Sequence, residues 1–168
     1  MSNQSPELAW MLEAYKHNGL TENTSKNVHN PTILKWLKEL KAWWAEDETP
    51  WCGVFVAICL KRAGIIYPGA WYRALAYRNA AKKLDQPAYG CVATKTRSGG
   101  GHVFFVVGVT ASGKIVGYGG NQNNKVCYAT YDIKDLEFYW YGKTNVPGAN
   151  RFKLPLIKNV SSTKVTEA

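Results

Sequence analysis

The chain has 168 residues, 46% of them hydrophobic and 20% charged, so it has the length and composition of one globular domain and excludes disorder as a general state. Lys+Arg of 21 against Asp+Glu of 12 gives a net charge of +9, and the basic residues run along the whole chain, which implies a polyanionic partner such as nucleic acid or an anionic cell envelope. No apolar run is long enough to span a membrane, MSNQSPELAW lacks the basic and apolar regions of a signal peptide, and the four cysteines form no CxxC pair and no cluster with histidine, which speaks against a metal site.

Ser5-Pro6-Glu7 has helix-start chemistry, and Leu8, Leu12 and Tyr15 follow at helical spacing until Gly19. The polar stretch TENTSKNVHN reads as a loop. Asn30-Pro31 opens a second helix with Ile33, Leu34, Leu37, Leu40 and Trp44 inward, interrupted by Glu46-Asp47-Glu48. In ETPWCGVFVAICLKRAGI, Thr49 is placed as cap, Pro50 at the first helical position and Cys52 at the third. That amphipathic helix ends at Gly64, with Cys52, Phe55, Val56, Cys59, Leu60 and Ala63 on its inward face. A further helix is predicted from Trp71 to Leu84, with Arg73, Arg78, Lys82 and Lys83 on a wet face. Beyond Pro87 the pattern becomes strand-like at 91–96, 103–109, 114–118, 126–131 and 137–141. Helices followed by about five strands predict an α+β domain with an antiparallel sheet. One domain is expected over residues 5–157, with 158–168 as a flexible tail.

Cys52 stands out for its position. A thiol in the first helical turn feels the positive end of the helix field and its unpaired N–H groups, which favour thiolate. A cysteine needs a base before it is a nucleophile. His17 and His29 read as solvated, whereas His102 follows SGGG and heads the strand HVFFVVGV, where Gly100 and Gly101 leave room for a substrate. If the turn after that strand holds two residues, Asn121 lies across from His102. A three-residue turn with a bulge puts Gln122 there, and a second bulge at Gly119-Gly120 would restore the first pairing. Either amide can accept from the imidazole. The order Cys, His, amide is compatible with a papain-like core.

The runs ETPWCGVFVAICLKRAGI, GGGHVFFVVG and GYGGNQNNKV, with NPTILKWLKEL upstream, resemble the NlpC and CHAP superfamily of cysteine peptidoglycan amidases and endopeptidases, in particular a short phage-associated branch. The resemblance covers residues 5–141. It implies a papain-like core, with the catalytic helix packed on the sheet. By motif, Cys52 matches the nucleophile, His102 the base and Asn121 the orienting residue, with Gln122 as substitute. Two positions depart from the pattern: Gly119, where many CHAP proteins have a carboxylate, and Cys91, where relatives often have aspartate.

The activity implied is hydrolysis of an amide in bacterial peptidoglycan, at N-acetylmuramoyl-L-alanine or within the stem peptide, with no metal or cofactor. Trp51, Gly100, Gly101 and Gln122 are the expected substrate contacts, and Trp71 and Tyr118 are further candidate groove rings. The protein would be a monomer made in the cytoplasm and acting in the periplasm or on the wall, as a released endolysin or an injected effector. An effector would have an immunity protein as partner; neither nucleic acid nor a membrane span is expected. The competing reading is a non-catalytic basic module that binds nucleic acid or anionic wall.

Overall fold

The computed structural model describes residues 7–21, 30–45 and 50–158. Among them are three α-helices, α1 (Ala9–Tyr15), α2 (Pro31–Glu39) and α3 (Cys52–Arg62), then six strands: β1 (Lys82–Leu84), β2 (Val92–Arg97), β3 (Gly100–Val109), β4 (Ile115–Gln122), β5 (Lys125–Tyr131) and β6 (Leu136–Trp140). The strands form one antiparallel sheet in the order β1-β6-β2-β3-β4-β5. The protein is α+β, with six strands where the sequence suggests about five. The predicted Ser5-Pro6 start, most of the polar loop with His29, the acidic cluster with Thr49, and almost all of the expected tail lie outside the described residues.

The extra strand replaces part of a predicted helix. Between Trp71 and Leu84 the structure has a short 3-10 helix (Ala74–Arg78) followed by β1. Trp71, Ala74 and Tyr77 are buried at steps of three, the 3-10 period, and the chain then pairs with β6 instead of continuing as a helix. Tyr77 donates to Gly53 O at 2.7 Å, and Arg78 bonds Thr94 Oγ1 at 2.8 Å and pairs with Glu137 at 2.9 Å. Those cross-chain bonds hold the segment against α3 and the sheet.

The α2 start follows its sequence chemistry: Asn30 accepts from Thr32 N and Ile33 N, with Pro31 in the first turn. The buried face of α2 includes Trp36 beside Ile33 and Leu37, and that of α1 is Trp10, Met11 and Ala14, with Leu12 turned out to solvent. α3 is not amphipathic in place. Every residue from Cys52 to Leu60 is buried, because α1 and α2 pack on one side of it and β3 and β4 on the other. Phe55 meets Phe105 and Tyr118 from the sheet and Trp36 from α2. This central helix carries Cys52 at its amino end.

Arg62 at the other end of α3 pairs with Glu13 of α1 at 2.6 Å and Glu39 of α2 at 3.1 Å. His17, read from sequence as solvated, bonds Glu13 at 3.0 Å and packs edge-on against Trp36. Burial alone would raise the Glu13 carboxyl, but hydrogen bonds from Arg62, His17 and Lys16 outweigh it and hold its pKa at about 2.

Candidate active site

Cys52 is the first residue of α3, with Trp51 as N-cap. The helix therefore starts later than the Thr49-Pro50 chemistry predicts. Phe55 N bonds Trp51 O at 3.0 Å, which closes the first turn. Gly53 is required here: a Cβ at this position would collide with the Trp71 carbonyl oxygen. Glycine thus lets the Trp71 strap lie directly on the first turn, and Tyr77 fastens it from the same side.

His102, on β3, is 1% exposed and hydrogen-bonds the Cys52 thiol. Burial pushes the thiol up; the bond and charge of His102, with the backbone N–H groups of Val103 and Gly53, more than reverse this and lower its pKa below that of a free cysteine. Neither of the other buried cysteines has a histidine among the groups that shift it. Burial raises Cys91 to about 12 and pushes Cys59 well up.

The imidazole is held by Gln122, whose Oε1 lies 3.0 Å from His102 Nε2. Gln122 Nε2 donates to Cys127 O at 2.6 Å, and Tyr131 Oη donates to the same Oε1 at 2.6 Å. An amide whose nitrogen is committed to a carbonyl presents its oxygen as acceptor, so His102 Nε2 carries the proton and Nδ1 is left for the thiol. Phe104 stacks on Tyr131 at 4.3 Å, and both rings lie beside His102. Packing and hydrogen bonding therefore fix both the tautomer and the tilt of the ring.

Asn121, the first sequence choice for this role, does not reach the imidazole. It is 1% exposed, has φ +58°, and neither amide atom has a hydrogen-bond partner. The β3–β4 pairing does begin one residue out of step at the turn (Val109 with Ile115). It is restored by a bulge, but in β3 between Val106 and Gly108 rather than at Gly119-Gly120. A second irregularity lies between Gly119 and Gln122 in the pairing with β5, where Gly120 and the left-handed Asn121 stand against the single residue Val126. The pairing sum that names Asn121 holds as far as Phe105 with Tyr118, and the bulge then presents Gln122. Gly119 has no room for the carboxylate of the resembling pattern, since a Cβ there would stand 2.8 Å from Phe104 Cβ.

A cleft of about 620 Å³ opens on Cys52, lined by Tyr72, Arg73, Leu75 and Ala76 on one lip and by Arg97 and Gly99–Gly101 on the other. Gly100 and Gly101 are thus at the cleft as expected. They differ in cause: Gly100 has open space where a side chain would go, whereas a Cβ on Gly101 would meet Leu75 at 2.6 Å. Trp51 is not a groove ring. It is 1% exposed and packs on Trp36, as an anchor for the helix start. Trp71 and Tyr118 are buried too, the latter donating to Ala14 O. Sequence reasoning missed Tyr72, Arg73 and Tyr131; the first two were placed in a helix, and Tyr131 was one aromatic among many in a strand.

Among the described residues no group of three His, Cys, Asp or Glu converges as metal ligands would, and no helix is long and apolar enough to cross a membrane. Comparison of the chain with protein-family models, curated proteins and solved structures found no match in any of the three.

Proposed function

We propose that the protein is a cysteine hydrolase that cleaves an amide bond of bacterial peptidoglycan by acyl transfer, with Cys52 as nucleophile, His102 as base and Gln122 as positioning residue. The supporting observation is the relay itself: a thiol at a helix amino end, bonded to an imidazole whose far nitrogen is fixed by an amide oxygen. The wall as substrate comes from the TPWC, GGGHV and GGNQ motifs, in keeping with the basic charge.

In this mechanism the Cys52 proton passes to His102 Nδ1, and Sγ attacks the amide carbonyl. In this reading the first-turn N–H groups of α3, the Cys52 N–H among them, receive the oxyanion. The imidazolium gives its proton to the leaving nitrogen as the C–N bond breaks, leaving a thioester. His102 then takes a proton from water, which attacks the thioester and returns free thiol and a carboxylic acid. Gln122 keeps Nε2–H engaged throughout, so that Nδ1 remains the working nitrogen.

Purified peptidoglycan incubated with the protein should release new amine and carboxyl ends, and Cys52→Ala should release none. Equal release by both proteins sinks the mechanism.

A further inference from the structure

We infer that Trp43, backed by Trp44 and Tyr72, is a sugar-stacking wall at the mouth of the thiol cleft, and that the bond cleaved is therefore the amide joining the glycan to its peptide. The inference rests on the peptidoglycan reading above and selects between its two candidate bonds.

Trp43 is 74% exposed, while Trp10, Trp36, Trp51, Trp71 and Trp140 are all buried. Exposing an indole forfeits a large apolar burial, yet this ring is braced rather than loose. It stands edge-on to Trp44 and to Tyr72, each at 4.8 Å between centroids, and Trp44 leans on the buried Trp71 at 5.6 Å. A line of rings thus runs from the core to the surface. Tyr72 belongs both to this line and to the cleft that contains Cys52.

The two lips differ. The lip with Tyr72 and Arg73 continues into aromatic surface, and the Arg73 guanidinium lies over the Tyr72 ring at 5.7 Å. The facing lip is glycine and Arg97, with no ring. A pyranose presents a flat face of C–H groups that suits an open indole, and a peptide bearing carboxylates suits a lip of arginine and bare backbone. With the sugar on Trp43, Tyr72 is the ring between it and the cleft, which favours the amide joining the sugar's lactyl group to the peptide as the bond brought to Cys52. Bonds further down an extended stem lie roughly 3.5 Å more distant per residue.

Two measurements test this. Mass spectrometry of a peptidoglycan digest should show peptides beginning with L-alanine, together with peptide-free glycan. Titration of Cys52→Ala with chitotetraose should quench tryptophan fluorescence; adding Trp43→Ala should weaken that binding at least tenfold, and Trp43→Phe should retain most of it. Cleavage inside the stem, absent chitotetraose binding, or binding unchanged by Trp43→Ala overturns the inference and leaves the hydrolase reading standing. No turnover of any wall overturns both.

Discussion

Gln122 has three polar partners, and each has a separate consequence for His102. The Cys127 carbonyl orients the amide, Tyr131 shares the acceptor oxygen, and the imidazole takes the remaining lone pair. Gln122→Ala removes the acceptor and frees the ring to turn, so kcat should fall about 10- to 100-fold. Asn121→Ala leaves the relay intact and should cost less than threefold in kcat; the opposite ranking would return the orienting role to Asn121. The thiol offers a second check. Because His102 and two backbone N–H groups lower the Cys52 pKa, native alkylation by iodoacetamide should reach its plateau at lower pH than for a free cysteine, and His102→Ala should shift that plateau upward. At neutral pH Cys91 should stay unlabelled, being buried and raised to about 12.

The three helices are joined by charge as well as by rings. Arg62 on α3 reaches Glu13 on α1 and Glu39 on α2, while His17 and Lys16 also hold Glu13. The folded Glu13 pKa of about 2 lies below its ordinary 4.5, so its stabilisation is fully present above pH 4.5 and is lost as pH falls toward 2. Glu13→Gln should lower stability by roughly 2 kcal/mol near neutrality, and the gap to wild type should close across that acid window in thermal melts. A constant gap would mean that Glu13 acts through packing alone. Helices α2 and α3, five of the strands and the Cys52–His102 pair were all legible in the sequence, since apolar period, Asn-Pro caps and glycine turns are local signals. The parts that were not legible depend on distant chain. The period of three at Trp71, Ala74 and Tyr77 looks helical until β6 supplies a partner for Lys82–Leu84. The choice between Asn121 and Gln122 depends on two bulges, and each of them moves the register by one residue.

At the scale of the whole molecule, several acidic residues of the described part are already engaged. Glu13 and Glu39 serve Arg62, and Glu137 serves Arg78 and Lys83. With 21 basic and 12 acidic residues, full pairing would still leave nine positive charges unmatched. Arg73 and Arg97 line the cleft itself. Such a field raises the local concentration of an anionic polymer and speeds encounter, but it does little for a small neutral substrate. Since the Debye length shrinks from roughly 14 Å at 0.05 M salt to roughly 4 Å at 0.5 M, long-range attraction should vanish over that range while the buried relay is untouched. Turnover of intact wall should therefore fall about tenfold between these salt concentrations, with KM rising and kcat nearly constant. Alkylation of Cys52 by neutral iodoacetamide should change less than twofold over the same range. If both rates fall together, salt is acting on the relay or on the fold, and the surface charge is not what brings the substrate to Cys52.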